Sequence, residues 1–456
     1  MTRSLTEAIA DAGSPVKLLR NSTAVPQTVP VVPPEYTNWI SEQLALRDSC
    51  TLYDQSHHMV TVTMEGPDLI PFLQRLAINS FENFPVNRAK QMVVCAPDGN
   101  LIGQGILFHV SENKVLLVGP HPVMDWVEYN HATTATSIKF KREGTSLSRR
   151  GNPTYFRYQL QGPTALEIMR ELLGEEPPQL KFFHMGNVTI AGKSVTLLRH
   201  GMAGLPGFEF FGNWEDQHAV IEAVLEVGKD HGLSRAGGLT YFSGRPSGYF
   251  PAVVPAIYTL PELEGYRNWL TDRSWEATAP LGGSFDDENI ENYYLSPYDV
   301  GYGRIIAFDH DFVGREALEA QVASGRSEKM KKVTLIWNAD DVVDVYRSFF
   351  TDDVPAKFIS MPVGKYSTIQ FDAVQSDGTT IGVSGWLEAS VEDKALMTTA
   401  LISAEHAIEG SEVTILWGEN PNSTKIKVEP HRQVSIRATV APSPIGEYAR
   451  TQYRKN

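Results

Sequence analysis

Residues 53–59 read Tyr-Asp-Gln-Ser-His-His-Met, so a phenol, a carboxylate, an amide, a hydroxyl and two imidazoles share one short segment. His57 and His58 are adjacent in what reads as a strand end. Their side chains then point to opposite faces and cannot easily share one ion. On residue chemistry alone, the commoner fate of a Gln55 and a His58 in such a place is a satisfied polar pair in the core. Other chemistry-bearing patterns fail on spacing. Gly192-Lys193-Ser194 resembles a phosphate loop, but five residues separate Gly186 from Gly192 where the motif allows four. The flanking Thr189-Ile190 and Val195-Thr196 read as a β-hairpin instead. There is no Gly-x-Ser-x-Gly elbow and no glycine fingerprint for a dinucleotide. Neither a Cys-x-x-Cys nor a His-Glu-x-x-His spacing occurs, so the expectation is no metal, and an organic cofactor or none.

The elements that must position these residues follow from periodicity. Cys50 to Tyr53 and the alternating Val60 to Met64 predict strands, and Leu69, Phe72, Leu73 and Leu76 mark one helix face. Three strands are expected over 91–118, with Asp98-Gly99-Asn100 as the first turn. A polar connection is expected over 142–153. The pattern then resumes with a strand over 155–161, a helix over 164–173, strands over 184–211 and a long helix over 215–231. At the N-terminus a helix over 4–12 is expected to end at Gly13 and Pro15. Strands interleaved with single helices predict compact α+β modules over residues 1–325. From residue 326 to 456 the chain reads as β-rich, with expected strands including 332–337, 381–385, 397–402, 412–417 and 424–429.

Composition excludes several classes. The 456 residues carry 40 Lys+Arg against 54 Asp+Glu, a net charge of −14. Such a field repels phosphate backbones, and no nucleic-acid partner is expected. The 42% hydrophobic content excludes a disordered chain. No run approaches the roughly 18 apolar residues of a membrane helix, and residues 1–22 hold no signal-peptide core. No membrane partner is expected, and the cytoplasm is the default compartment.

Resemblance becomes specific in ordered blocks. These are Tyr53 to Met59 with Phe72-Leu73-Gln74-Arg75-Leu76 behind it, Pro97-Asp98-Gly99-Asn100, Leu160-Gln161-Gly162-Pro163-Thr164, Gly204-Leu205-Pro206-Gly207-Phe208-Glu209 and Ser296 to Arg304 followed by Asp311 to Leu318. Together they resemble the folate-binding aminomethyltransferase family typified by the glycine-cleavage T-protein. Further blocks resemble its branch of tetrahydrofolate-dependent aryl O-demethylases acting on vanillate and syringate. Among them are Leu19-Arg20-Asn21-Ser22, Lys181-Phe182-Phe183, Leu198-Arg199-His200-Gly201 and Gly282-Gly283-Ser284-Phe285. The resemblance implies an α+β fold of three domains in a ring around a central folate channel, two ferredoxin-like modules plus a C-terminal β-barrel. It implies transfer of a methyl group from a methoxylated aromatic, such as a substituted methoxybenzoate, to N5 of tetrahydrofolate.

The resemblance also implies roles. Tyr241 matches a catalytic tyrosine that donates to the departing ether oxygen, and a phenol with pKa near 10 suits a phenoxide of similar basicity. Gln55 and His58 match residues that orient donor and substrate. Glu209 and Gln161 match residues toward the pterin, with Tyr249 and Phe183 as aromatic walls. Departures are as informative. The T-protein's aspartate pair corresponds to Gly103 and Gln104, which argues against glycine cleavage. The arginine that holds vanillate's carboxylate is replaced in Val118-Gly119-Pro120, with His121 next door, and a second active-site tyrosine corresponds to Gln27. Loss of a bidentate anion holder is not conservative. Gln27 and His121 are therefore the expected substrate-side residues. Rival readings are an N- or S-demethylating member of the family, or a non-catalytic folate-binding assembly protein.

Overall fold

Eleven strands, numbered in chain order, form two sheets that the chain visits alternately. They are β1 (Cys50–Asp54), β2 (Val60–Glu65), β3 (Arg88–Cys95), β4 (Leu101–Ser111), β5 (Lys114–Gly119), β6 (Lys139–Glu143), β7 (Tyr155–Gln161), β8 (Met185–Ile190), β9 (Lys193–Leu198), β10 (Gly207–Asn213) and β11 (Leu233–Arg235). The structure is a computed structural model describing residues 3–26, 28–201, 204–243, 248–250 and 252–454. The first sheet runs β3-β4-β5-β2-β6 and the second β11-β1-β7-β10-β9-β8. Within the first, β2, β4, β5 and β6 with helices Leu69–Leu76 and His121–Thr133 make a ferredoxin-like unit, and β3 is added at the edge. The second repeats the plan with β7, β9, β10 and β11 and helices Ala165–Leu173 and Gln217–Gly228. There β8 is the edge addition, and β1 is inserted between β7 and β11. Because β1 precedes β2 yet belongs to the second sheet, the two modules are interleaved.

Side-chain alternation along β7 separates two environments. Phe156, Tyr158 and Leu160 join Leu52, Phe210 and Leu197 in a core with Ile168, Met169, Val220 and Val224 of the two helices. The intervening Arg157, Gln159 and Gln161 point the other way, toward the first sheet. There Phe108, Leu116 and Val118 pack against Phe211, Leu198 and Met185. Close approach in the first sheet depends on small residues. A Cβ on Gly105 or Gly119 would come within 3.0 Å of backbone atoms of the facing strand.

The C-terminal region closes on itself. Strands Met330–Trp337, Asp372–Ser376, Thr379–Ser390, Ala395–Ser403, Glu412–Trp417 and Val434–Pro442 form a ring, sealed by pairing of Thr379–Ser390 with Ala395–Ser403. This barrel is not an isolated body: Ile369, Phe371, Val383 and Leu401 share the main core with Leu5, Leu19 and Tyr293.

Several sequence expectations are corrected. Pro15 does not end the N-terminal helix region. It occupies the first turn of a second helix, Pro15–Arg20, where its missing N–H costs nothing. The stretch 142–153 is not wholly connection, because β6 reaches Glu143. Residues 424–429 form no strand; Lys425 is instead turned inward onto Leu281 O and Glu419. Strand Val434–Pro442 and helix Ala339–Thr351 were not expected, although Val434, Ile436, Ala438 and Val440 alternate as a strand requires. The Gly192 turn does join a hairpin, β8 to β9.

Candidate active site

The chain leaves β1 at Asp54 and enters a bend in which the two histidines take opposite directions. His57 Nδ1 lies 2.8 Å from Ser146 Oγ and its Nε2 3.5 Å from Asp54, which fastens the bend to the 144–149 loop. His58 turns inward, and its Nε2 lies 2.7 Å from the Tyr241 hydroxyl, the rings edge to face at 4.7 Å. Tyr241 also packs edge-on against the buried Tyr53. Burial holds His58 well below the ordinary imidazole value, at about 4, so the ring is neutral at pH 7. Its Nδ1 is buried and meets no hydrogen-bond partner among the described residues. A bare lone pair is tolerated there better than an orphaned N–H, which assigns the proton to Nε2. His58 therefore donates to Tyr241 Oη and leaves the phenolic hydrogen free to point into the site.

Tyr241 is itself pushed well above 10, by burial first and by the Glu209 and Tyr249 charges next. This corrects the sequence-based pairing of a phenol near 10 with a phenoxide of similar basicity. The residue is a firm hydrogen-bond donor and a reluctant acid.

Across the second sheet, register sets Tyr53, Gln159, Glu209 and Leu198 in one row. Glu209 is buried, and its Oε1 accepts from Arg157 Nη1 at 2.7 Å. Among the described residues no donor meets the other oxygen. Burial raises the carboxyl and Arg157 draws it back down. Arg157 in turn lies over the Phe108 and Phe211 rings, at 4.5 and 5.4 Å. Gln159 links two neighbours: it accepts from Gln55 Nε2 at 3.5 Å and donates to His200 O at 2.6 Å. Gln161 is fully buried at the end of the same face, beside Gly207.

Aromatic groups close the ends. Phe183, at a positive φ of 60°, packs on His200 with centroids 5.0 Å apart. The far C-terminus reaches the same place: Tyr453 Oη accepts from Gly201 N at 2.9 Å and lies 3.0 Å from His200 Nδ1. Tyr249 is half exposed and bonds Gln104, which accepts from Gln91 at 2.6 Å.

The structure thus brings Tyr241, His58, Gln55, Glu209 and Gln161 to one region, with Phe183 at its border. His121 is elsewhere: it sits 3.2 Å from Arg142, which is held by Asp125 and Glu128. Gln27 lies outside the described residues. Arg157 and Gln159 were not singled out from sequence, although their alternation with the apolar Phe156, Tyr158 and Leu160 carries the signal. Glu42 was missed as well. Fully buried, it accepts from Gly237 N at 2.8 Å and Thr240 Oγ1 at 2.6 Å, and so anchors the four-residue helix that ends in Tyr241.

Comparison with known proteins fits this geometry. A family model described as the GCVT N-terminal domain matches residues 26–251. Over 99% of this chain and 98% of the relative, the sequence is 42% identical to Syringate O-demethylase of Sphingobium sp.. The chain belongs to the GCVT, or aminomethyltransferase, family. A second relative of this GCVT chain is Sesamin methylene transferase of Sinomonas sp., 27% identical over 91% of the chain and 90% of the relative. The fold is that of glycine cleavage system aminomethyltransferase T from Bartonella henselae, with a TM-score of 0.59 at 15% identity, covering 95% of this chain and 98% of that one.

Proposed function

We propose that this GCVT-family chain is a tetrahydrofolate-dependent O-demethylase, which converts a methoxylated aromatic compound to the phenol and yields 5-methyltetrahydrofolate. The observation that carries the reading is the buried, neutral His58 bonded to Tyr241 beside the Glu209 row, within a chain alike along its whole length to Syringate O-demethylase. The donor set fits the co-substrate. Glu209 offers a buried carboxylate oxygen with no donor among the described residues, suited to the amino and ring N–H edge of a pterin. Gln159 and Gln161 flank it with amides.

Bound tetrahydrofolate supplies a neutral amine nitrogen as methyl acceptor. The methyl–oxygen bond breaks with its electron pair on oxygen, the carbon bonds the amine nitrogen, and that nitrogen's proton is released as the oxygen is protonated. Tyr241 donates its hydroxyl hydrogen bond to the oxygen as negative charge grows there, and His58 Nε2–H supports the phenol from behind. Because Tyr241 is held above its ordinary value, its contribution is stabilisation of the developing phenoxide, with the final proton supplied as product leaves. Gln55 holds the approach to this pair through Gln159.

Tyr241→Phe removes only the donor. Turnover should fall by roughly 100-fold or more, the scale of a lost oxyanion donor, while folate affinity by calorimetry stays within about twofold of the parent. Unaltered turnover would remove Tyr241 from the mechanism. If the unaltered protein makes no 5-methyltetrahydrofolate from any aryl methyl ether, the reading itself fails.

A further inference from the structure

The barrel's last strand ends at Pro442, and the chain beyond it turns back onto the second module. A Cβ on Gly248, in the loop after Tyr241, would meet Pro444 N at 2.9 Å, and one on Gly204 would meet Ala449 Cβ at 2.4 Å. Segment 443–454 therefore lies directly against two loops that border the site. Its path is fixed from within. Arg450 Nη1 donates to Pro444 O and Ile445 O at 2.8 and 2.6 Å, and Tyr453 N closes onto Tyr448 O at 3.0 Å.

The segment delivers one phenol to the corner, residues 199–206, that joins β9 to β10. The Tyr453 ring packs edge-on against Phe182, with centroids 5.1 Å apart. Its hydroxyl has one hydrogen and two lone pairs. The hydrogen goes to Gly201 O, and one lone pair takes Gly201 N–H at 2.9 Å. The other faces His200 Nδ1 at 3.0 Å. Burial holds His200 at about 4, so the ring is neutral at pH 7 and carries a single N–H. With the phenolic hydrogen already committed, that N–H sits on Nδ1 and donates to Tyr453. The hydroxyl is thus filled by residues 252 and 253 positions earlier in the chain.

The corner passes this restraint to the site. His200 O accepts from Gln159 Nε2 at 2.6 Å. An amide whose nitrogen is committed there presents its oxygen on the other side, where Gln55 Nε2 meets it at 3.5 Å. Gln159 is the cross-strand partner of Glu209. Gly201 abuts the next amide on the same face: a Cβ there would come 3.4 Å from Gln161 Nε2 and 2.3 Å from Leu205 O. The Glu209 charge also reaches Tyr453, adding to the rise that burial gives the phenol.

We propose that Tyr453 is a positioning residue for the co-substrate face: by locking the His200–Gly201 corner it sets the amides of Gln159 and Gln161 beside Glu209. The assignment rests on reading that face as the tetrahydrofolate site. Without the hydroxyl, Gly201 N, Gly201 O and His200 Nδ1–H lose their partner together. Buried polar groups left unpaired are costly, so the corner rearranges to satisfy them and His200 O no longer fixes Gln159.

The test uses the full chain. Tetrahydrofolate is titrated by calorimetry, with no aryl ether present, into the parent, Tyr453→Phe and Tyr453→Ala, and thermal melts report folding. Tyr346→Phe serves as control, since it removes a phenol hydroxyl that donates to Ile359 O at 2.8 Å in the barrel region. Affinity should fall about tenfold in both Tyr453 variants and stay within about twofold of the parent in the control. Tyr453→Phe keeps the ring on Phe182, so a loss matching that of Tyr453→Ala assigns the effect to the hydroxyl. With an aryl methyl ether that the parent demethylates, KM for tetrahydrofolate should rise about tenfold in Tyr453→Phe, while kcat and the KM for the ether move less than about twofold. Parent-like affinity in folded Tyr453→Phe, or a loss confined to Tyr453→Ala, overturns the assignment. An equal loss in Tyr346→Phe does so too, because it would mark a general effect of stability. Tyr453-dependent tetrahydrofolate binding without demethylation of any aryl ether would uphold the positioning role and overturn the O-demethylase reading. Demethylation with parent-like folate affinity in the Tyr453 variants would do the reverse.

Discussion

At the scale of single residues, the site is a set of groups held away from their solution protonation behaviour. His58 is the sharpest case, because burial lowers it from 6.5 to about 4. The unfolded chain takes up the proton as pH falls through 6.5, whereas the folded one resists until about 4. Stability from this group is therefore complete above 6.5 and lost progressively down to 4. The magnitude for His58 alone is about 3 kcal/mol, a large part of the ordinary 5–15 kcal/mol of a folded domain. His200 is shifted in the same direction by burial. Chemical denaturation at pH 7 and pH 4.5 should show this loss in the parent, and His58→Gln should flatten the acid slope by about one proton. A slope identical in parent and variant would mean that His58 titrates normally.

At the scale of elements, the catalytic tyrosine depends on a support far away in sequence. Helix Gly238–Tyr241 is too short to stand alone and is fixed from outside. Glu42 binds Gly237 N and Thr240 Oγ1, Pro33 O and Pro34 O accept from Gly238 and Leu239, and Gln43 Nε2 meets Ser243 Oγ at 2.9 Å. A Cβ at Gly237 would lie 2.2 Å from Pro34 O, so only glycine allows this approach. Glu42→Ala leaves two of these donors and two backbone N–H groups at Tyr36 and Thr37 unpaired. It should lower kcat by about tenfold or more through misplaced Tyr241, with KM and folate affinity nearly preserved. A raised KM with kcat intact would show that Glu42 shapes binding and does not position the donor. Such a support is unreadable in one sequence. Glu42 sits in a weakly amphipathic helix, and its partners are some 195 residues away. The strand residues were easier. Gln161 and Glu209 stood in recognisable blocks, and Arg157 and Gln159 follow from period two once β7 is known to have one apolar face.

At the scale of the whole molecule, separate sequence blocks turn out to be one contact. Arg20, from the Leu19-Arg20-Asn21-Ser22 block, donates to Gly283 O, Phe285 O and Tyr293 Oη, so it meets the Gly282-Gly283-Ser284-Phe285 block directly. Gly283 has φ 103°, and a Cβ there would fall 2.0 Å from Phe371 O, which explains the second glycine. The resemblance could mark these blocks but not their partner. Glu419 is fully buried between them, with Oε1 on Arg20 at 3.1 Å and Oε2 on Gly283 N at 3.3 Å and Lys425 Nζ at 3.4 Å. Lys425 fell in the segment misread as a strand, because an inward-facing lysine breaks the alternation that a sequence pattern relies on. Glu419→Ala leaves Arg20 and Lys425 buried without their shared counter-charge, and the cost should be about 3–5 kcal/mol in urea denaturation. The transition should nevertheless stay single. Barrel residues Ile369, Phe371, Val383 and Leu401 belong to the same apolar core as Leu5, Leu19 and Tyr293, and that core survives the substitution. A variant that melts in two steps would place the coupling of barrel and body in the ion cluster and not in the core. Retention of full stability would mean that water already screens these charges, contrary to their burial.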